Sequence, residues 1–423
     1  MLLLGTGVFL SLRYRFPQIT RLGEALRTLV PRAETGATGA ISPFQAFMTG
    51  LSGSVGTGNI AGVATAIVSG GPGAVFWIWC YGFFATTIKL TEATLGQRFR
   101  RPDAAGLATG PMYYLEQGLG SRKLGLLYAL VAGVAALTTT PFTQPNSIAV
   151  VFSSQLGVKT WMTGVALAVL TWIVVIGGVS KIGRAAERLA PAMVALYLVG
   201  GLVVIVTFAG RLPAVFATIF QDAFSTHAAG GGAAGIGMMT AVRYGLARGI
   251  YANEAGYGTA AVAYGTAKSA RPIQQGLNAM TEVYIVSFVT SSISALTILV
   301  SGVVRSGENS TALVAEAFDK AMPGGGILVL VCALLFGYTT LIGWGYYGEQ
   351  FLTYLLGPRV VLPYRWIYCA LIVAGATTAV DLVWAWGDLM NGFQIFPNLI
   401  GVVGLSGLVA TMLKASRGRS RPG

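Results

Sequence analysis

The stretch SGSVGTGNIAG, residues 52–62, places four glycines, two serines, a threonine and an asparagine between two strongly apolar segments. A glycine in a helix interior costs roughly 0.5–1 kcal/mol relative to alanine. A helix that only crosses a bilayer would not concentrate glycines in its middle. The stretch therefore predicts an interruption within a membrane-spanning helix.

The composition supports an all-α integral membrane protein. The chain of 423 residues is 54% hydrophobic and 10% charged, whereas soluble domains carry about 25% charged residues. The net charge of +13 does not indicate nucleic-acid binding, because the basic residues lie in short loops without interleaved aromatic residues. We expect no nucleic-acid partner, no organic cofactor and no obligate protein partner.

The residues that most often bind metals offer no cluster in the sequence. Cys80, Cys332 and Cys369 each lie inside an apolar run, which is typical of free buried thiols. His227 has no Cys or His at metal-ligand spacing and is predicted to be a loop histidine.

Ten apolar segments are long enough to cross a membrane, which takes about 20 residues. Residues 2–12 form a shorter, partial helix before them. The ten predicted spans are 44–68, 73–96, 124–153, 160–178, 188–209, 236–266, 275–303, 325–356, 362–380 and 386–413.

The basic residues give the orientation of these spans. With the 13–43 loop on the inside, 21 of the 28 Lys and Arg residues fall on the inner face, four on the outer face and three within spans. The positive-inside rule therefore predicts a cytoplasmic C-terminus. The polar segment 305–326 is then expected to form an ordered extracellular cap.

A second interruption is predicted in RGIYANEAGYGTA, residues 248–260. It lies in the sixth span. If the ten spans form two sets of five, 44–209 and 236–413, each interruption lies in the first span of its set. Because five is odd, the sets enter the membrane from opposite sides, an inverted repeat typical of secondary transporters. The whole chain, 1–423, is then predicted to be one transporter domain. Residues 1–43 form an extra helix and a cytoplasmic segment before the first set, and residues 414–423 form a basic cytoplasmic tail.

The glycines of the first interruption fit two further patterns less well. Small residues also form close-packing surfaces between spans, but such packing does not require Asn59. GTGNIAG is one residue away from a dinucleotide-binding fingerprint and lacks the strand context that this motif needs.

The interruptions predict the kind of ligand. Amides at 57–60 at a helix start suit an anion, while carbonyls at 52–55 suit sodium and those at 250–253 suit an ammonium group. A small zwitterion matches both poles.

Several motifs resemble the sodium:alanine symporters, the alanine/glycine:cation symporter family. They are GSVGTGNIAGVATAI, GGPGAVFWIW, GPMYYLEQGLG, NEAGYGTAAVA, RPIQQG and LFGYTTLIGWGYYGEQ, in order over nearly the whole chain. The resemblance implies a LeuT-like five-plus-five inverted repeat with discontinuous first and sixth core helices and an extra N-terminal helix. It also implies symport of alanine or glycine with Na⁺ across a bacterial cell membrane.

The resemblance further implies two sets of site residues. The substrate would contact both interruptions and the third span: Gly56, Thr57, Gly58, Asn59, Gln144, Asn146, Asn253, Ala255, Gly256 and Tyr257. The chain departs from the family at Ala252 and Tyr257, where serine and leucine are more usual. Tyr257 would enlarge or reshape one wall, which leaves a larger neutral amino acid open as the substrate. Sodium would lie between the first interruption and the eighth span: Ser52, Val55, Phe336, Thr339 and Thr340. Hydroxyls in membrane helices also bond back to the preceding turn, which is the alternative for the threonine pair.

The charged residues within spans are candidate functional groups. Glu254 is predicted to form a structural ion pair, with a gate to Arg248, an ammonium contact or a coupling proton as alternatives. Lys89 and Glu92 stand three residues apart, a spacing that pairs charges on a helix.

The predicted mechanism is alternating access. A proton-coupled carrier of the same fold is the closest alternative and a channel is less favoured, because channel filters are built from symmetric rings. Nothing in the spans assembles the acids, nucleophiles or metals of an enzyme.

Overall fold

The computed structural model describes residues 1–29, 38–103, 106–225, 236–305 and 307–417. His227 and most of the predicted basic tail lie outside these residues. The described chain is almost entirely helical, with one short antiparallel hairpin formed by β1 (Arg101–Asp103) and β2 (Gly106–Ala108).

The first half of the chain contains twelve helices within the described residues. They are α1 Leu2–Tyr14, α2 Pro17–Thr20, α3 Leu22–Thr28, α4 Pro43–Ser54, α5 Ala61–Gly70, α6 Ala74–Arg98, α7 Pro111–Tyr113, α8 Arg122–Thr138, α9 Thr140–Leu156, α10 Thr160–Val175, α11 Gly178–Thr207 and α12 Leu212–Phe224. A 3₁₀ turn, Thr57–Asn59, lies between α4 and α5, and α7 continues as a π-helix, Tyr114–Gly118.

The second half contains nine helices in the part of the chain that the structure describes. They are α13 Ile236–Asn253, α14 Thr259–Gly265, α15 Pro272–Tyr284, α16 Ser291–Ser301, α17 Ser310–Ala321, α18 Gly325–Leu356, α19 Val361–Thr377, α20 Val380–Gly404 and α21 Ser406–Arg417. A π-helical segment, Ile285–Thr290, joins α15 to α16.

The helices match the predicted spans with three local differences. Six helical spans are long and apolar enough to cross a membrane, and two bent pairs bring the number to eight in the described chain. The shorter α10 and the interrupted pair α13–α14 account for the remaining two predicted segments.

The differences have physical causes. The third span consists of α8 and α9, which meet at Thr139 just before Pro141. The last span starts at Val380, and its chain bends by 52° between α20 and α21. The amphipathic α12 was not predicted, because its apolar run is too short for a span.

The first interruption has a well-defined start. Ser42 Oγ accepts a hydrogen bond from the Gln45 amide and Gln45 Oε1 accepts one from the Ser42 amide, each at 3.1 Å. This capping box fixes where α4 begins. The helix ends at Ser54, and the chain turns by 55° before α5 continues.

The long helix α6 packs along α1, α13, α14 and α15. Small residues allow these backbones to approach closely. A Cβ on Gly96 would lie 2.3 Å from the Ala261 carbonyl oxygen, and one on Gly276 would lie 2.7 Å from the Leu90 carbonyl oxygen. The second interruption is therefore held tightly against α6.

Helices α10, α11, α19 and α20 expose large apolar side chains on their outer faces, as expected for surfaces in contact with lipid tails. Examples are Val165, Val169, Ile173, Val199, Leu202, Ile367, Leu389 and Phe396.

Gly96→Ala tests the contact between α6 and α14. The added methyl group meets backbone atoms that cannot rotate away, so we expect a destabilisation of about 1–3 kcal/mol, measured as a lower melting temperature of the detergent-solubilised protein. Gly5→Ala is the matched control, because nothing lies within 4 Å of its added Cβ. Equal melting temperatures for both variants would contradict the close contact between α6 and α14 at Gly96.

Candidate substrate and ion site

The first interruption is closed by the protein's own polar groups. Asn59 Nδ2 donates to the Ser54 carbonyl at 2.8 Å, and Asn59 Oδ1 accepts from Ser291 Oγ at 3.0 Å. The Ser294 hydroxyl donates to the Asn59 carbonyl at 2.5 Å. Asn59 therefore ties the end of α4 to α16.

Three of the four amides expected to be free in this turn are occupied in this conformation. The Thr57 amide donates to Gln144 Oε1 at 2.9 Å, and the Thr57 hydroxyl donates to the same oxygen. The amides of Asn59 and Ile60 donate to carbonyls within the turn. Gln144, from α9, is thus the side chain that meets the first interruption.

The second interruption uses strained backbone. Glu254 has φ of 56°, and Gly256 and Gly258 have φ of 100° and 84°. Positive φ favours glycine and is uncommon for other residues. The Tyr81 hydroxyl donates to the Ala255 carbonyl and the Tyr128 hydroxyl to the Tyr257 carbonyl, so these two buried carbonyls of the loop have hydrogen-bond partners.

The two ends of the second interruption receive opposite charges from α6. Lys89 Nζ donates at 2.6 Å to the carbonyl of Asn253, the last residue of α13. Glu92 Oε1 accepts from the amides of Gly256 and Gly258, just before α14, at 3.0 and 3.1 Å. Each charge complements the dipole at its helix end.

The expected pairing of Lys89 with Glu92 is therefore wrong. Lys89 Nζ instead contacts Glu282 Oε1 at 2.6 Å, with both side chains at most 2% exposed. Glu92 Oε1 also accepts from Asn398 Nδ2 at 2.6 Å. The spacing of the two residues places one charge at the end of α13 and the other just before the start of α14.

A small cavity lies between the two interruptions. It is narrow in this conformation. Its walls come from both interruptions, from the junction of α8 and α9, and from α18 and α20: Gly53, Ser54, Gly56, Gly58, Thr139, Thr140, Gln144, Tyr251, Glu254, Tyr257, Trp344 and Asn391.

Four of the predicted substrate residues line this cavity, namely Gly56, Gly58, Gln144 and Tyr257. The other predicted residues lie in its supporting layer. Besides Thr57 and Asn59, described above, Asn146 Nδ2 donates to the Thr378 carbonyl at 2.6 Å.

Asn253 and its neighbours hold the second turn. Asn253 Oδ1 accepts from the Ala255 amide at 3.0 Å, and Asn253 Nδ2 donates to Ser287 Oγ at 3.1 Å. The Gly256 amide is bonded to Glu92, and the Gly256 carbonyl accepts from Asn398 Nδ2.

The predicted ion-binding residues meet where α4 approaches α18. Thr340 Oγ1 donates to the Ser52 carbonyl at 3.0 Å or to the Phe336 carbonyl at 2.9 Å, and Thr339 Oγ1 lies 3.1 Å from the Phe336 carbonyl. Both hydroxyls therefore lie within hydrogen-bond distance of a carbonyl in the preceding turn of α18, which was the alternative to a sodium site. Thr340 Oγ1 also lies within hydrogen-bond distance of the Ser52 carbonyl of α4. Val55 is fully buried at the end of α4.

The predicted ion pair of Glu254 is also wrong. Glu254 Oε1 accepts from Trp344 Nε1 at 2.6 Å and Oε2 accepts from Thr259 Oγ1 at 2.8 Å. No cation pairs with this buried carboxylate in the described chain. Arg248 instead pairs with Asp388 and lies 4.6 Å above the Trp384 ring.

Several cavity residues were not found from the sequence. Trp344 and Asn391 lie in ordinary apolar spans, and their orientation depends on how α18 and α20 pack. Thr139 and Thr140 offered a signal, since TTTPFTQP, residues 138–145, places hydroxyls and prolines at a helix junction.

The whole chain matches a known family. Residues 1–421 match the model of the sodium:alanine symporter family. The chain is 40% identical over 425 residues to the sodium/alanine symporter AgcS of Methanococcus maripaludis, covering 98% of this chain and 93% of that relative. The chain belongs to the sodium:alanine symporter family. It is a membrane transporter and not an enzyme, and the resemblance found in the sequence is confirmed.

A second relative and a solved structure extend this finding. The chain is 35% identical to the probable sodium/glutamine symporter GlnT of Bacillus subtilis, over 98% of this chain and 86% of the relative. The crystal structure of MhsT in complex with L-phenylalanine aligns with a TM-score of 0.60 at 12% identity, covering 90% of this chain and 100% of that chain. The fold is therefore LeuT-like, as predicted.

Replacement of Glu92 tests its role as the acceptor of the second interruption. Glu92→Ala leaves two amides and the Asn398 amide without their acceptor, at about 1–3 kcal/mol for each donor that stays unsatisfied. We expect a clear fall in the melting temperature in detergent.

Glu92→Gln retains one acceptor oxygen at the same position, so its melting temperature should fall much less. If instead both variants were destabilised equally, the negative charge rather than the hydrogen-bond acceptor would be the essential property.

Proposed function

We propose that this transporter imports alanine and glycine together with Na⁺ by alternating access. The observation that carries the proposal is a cavity that both interrupted helices line, with oxygen atoms of α4 and α18 beside it. Its wall contains the carboxylate of Glu254, which has no cation partner in the described residues. Interrupted helices of this kind supply sites for a substrate and its coupling ion in secondary transporters.

The cavity suits a zwitterion with a small side chain. Glu254 is the acceptor proposed for the substrate ammonium, because its buried charge has no cation partner in the described residues and burial of an unpaired charge is costly. The carboxylate is proposed to bind at the glycine-rich turn 56–58 near Gln144, where a helix start favours anions.

The remaining predicted residues would act indirectly. Thr57, Asn59, Asn146, Asn253, Ala255 and Gly256 are proposed to keep the two turns in shape. This role is supported by their hydrogen bonds, which connect them to other parts of the protein.

Aromatic walls favour small amino acids over large ones. Tyr251, Tyr257 and Trp344 line the cavity, and Trp344 is fixed by its hydrogen bond to Glu254. Because a relative carries a name that refers to glutamine, family membership alone does not select alanine. The aromatic side chains in the cavity wall support the smaller substrates.

Sodium is proposed to bind between α4 and α18, with oxygen ligands from Ser52, Val55, Phe336, Thr339 and Thr340. The donor set fits a hard monovalent cation, since it consists of neutral carbonyls and hydroxyls. The cation would replace hydroxyl hydrogens as the partner of the Ser52 carbonyl and thereby join the two helices.

We also propose that the C-terminus is cytoplasmic and that the two sets of five spans are an inverted repeat in a bacterial cell membrane. The distribution of basic residues supports this orientation. The pair of Arg248 and Asp388, which lies against Trp384 and Tyr251, would then be on the outer side and would open to admit substrate.

One sodium ion is sufficient to drive uptake. A potential of about 100 mV contributes roughly 2.3 kcal/mol per charge, and a roughly tenfold sodium gradient adds about 1.4 kcal/mol. Together they permit an accumulation of a few hundredfold.

A proton-coupled carrier is a second candidate, because Glu254 is a buried carboxylate without a cation partner in the described chain. Purified protein in liposomes separates the candidates when uptake of labelled alanine, glycine, glutamine and leucine is measured with an inward sodium gradient or with an inward proton gradient in sodium-free buffer. We expect sodium-driven uptake of alanine and glycine. Uptake driven only by the proton gradient would contradict sodium coupling.

Thr340→Ala tests the sodium site. Loss of one ligand worth about 1.4 kcal/mol raises the half-saturating sodium concentration for alanine uptake about tenfold. Thr377→Ala is the control, because among the described residues the Thr377 hydroxyl bonds to carbonyls of its own helix at the surface. An unchanged sodium dependence in Thr340→Ala would argue against this site.

Glu254→Gln tests the ammonium contact, because the amide keeps the acceptor oxygen for Trp344 but removes the charge. We expect at least a roughly tenfold loss of alanine affinity with a smaller change in sodium affinity. Binding is measured on purified protein with labelled alanine. Wild-type alanine affinity would show that the ammonium binds elsewhere.

A further inference from the structure

The Lys89 ammonium lies between the ends of both interrupted helices. It contacts the carbonyl of Asn253, where α13 ends, and Glu282 Oε1 of α15, each at 2.6 Å. The same Glu282 oxygen accepts a hydrogen bond from the hydroxyl of Ser54, where α4 ends. One cation thus connects, directly or through one carboxylate, the two points at which the spans are broken.

The groups around this ammonium are those that would bind a small metal cation. A carboxylate oxygen and a main-chain carbonyl at a helix end surround it, with a hydroxyl beside them, and the Tyr264 hydroxyl holds the other carboxylate oxygen at 2.6 Å. Hard cations prefer such oxygen ligands, and broken helices in transporters present them to coupling ions. Lys89 is buried, with 1% of its surface exposed.

We propose that Lys89 is a resident cation that occupies a second cation position between the interrupted helices, so that transport proceeds with one sodium ion per amino acid. Without Lys89, Glu282, the Asn253 carbonyl and the Ser54 hydroxyl form a site for a monovalent cation. The inference rests on the proposed sodium-coupled function and adds its stoichiometry.

The charge balance favours this role over that of a simple brace between helices. Removing one partner of a buried ion pair leaves an uncompensated charge, which is strongly destabilising. The Lys89 ammonium is attached to α6, so it compensates the charge of Glu282 permanently, both in the empty and in the loaded carrier. The proposed sodium between α4 and α18 is separate, because it uses the Ser52 carbonyl and the threonines of α18.

The variants Lys89→Met and Lys89→Met with Glu282→Gln test the proposal. Met has a similar length without the charge, and the double variant removes both charges. The measurements are the sodium dependence of alanine uptake in liposomes and the charge moved per alanine. For the wild type we expect about one charge moved per alanine, for Lys89→Met about two, and for the double variant about one again. A Hill coefficient for sodium above 1 is expected only in Lys89→Met, because the coefficient cannot exceed the number of sites.

Arg365→Met is the matched control. Arg365 pairs with Glu349 at 2.8 Å, and both side chains are largely buried. In the described residues Arg365 bonds to Glu349 and to the Ile176 carbonyl, neither of which belongs to an interruption. Its loss should leave the Hill coefficient unchanged. About one charge moved per alanine in Lys89→Met, or a Hill coefficient clearly above 1 in the wild type, overturns the proposal.

Thermal unfolding of the purified variants gives an answer that does not depend on transport. Sodium, with potassium and choline as comparison ions, should raise the melting temperature of Lys89→Met more than that of the double variant. Equal shifts, or a Lys89→Met protein that fails to fold in high sodium while the double variant folds, overturn the proposal. A wild type without sodium-stimulated uptake contradicts the proposed function itself, whereas these shifts concern only the resident cation.

Discussion

The architecture depends on how α6 satisfies both ends of an interrupted helix. A membrane interior offers no water to helix ends, so their free carbonyls and amides need partners from the protein. Lys89 provides a positive charge at the carbonyl end of α13, and Glu92 provides a negative charge before the amide end of α14. The close backbone contact between α6 and α14 at Gly96 brings these charges within reach.

The two interruptions are satisfied by different chemistry. Neutral groups, chiefly Asn59 and Gln144, bond to the backbone of the first, whereas Lys89 and Glu92 add charged partners to the backbone of the second. Neutral partners can exchange with a ligand at lower electrostatic cost than a buried ion pair can. We therefore propose that the first interruption reorganises when an ion and a carboxylate bind, while the second holds its charges fixed.

The sequence was sufficient to predict the spans and both interruptions, since glycine and polar residues within apolar runs have a direct physical meaning. The partners of the buried charges were not predictable in the same way. Lys89 and Glu282 are 193 residues apart, and only the packing of α6 on α15 brings them together. The spacing of Lys89 and Glu92 indicated a pair within one helix, because sequence spacing contains no information about the ends of a neighbouring helix. Asn59 illustrates the same limit within the site, since the hydroxyls of α16 decide which way its amide faces.

Amino acid and sodium are proposed to bind at adjoining positions created by the two interruptions. Equilibrium binding to the purified protein tests this most directly, with alanine affinity measured over a range of sodium concentrations and sodium affinity over a range of alanine concentrations. We expect each ligand to increase the affinity for the other by the same factor, as thermodynamic linkage requires. Alanine binding that is independent of sodium would contradict adjoining sites.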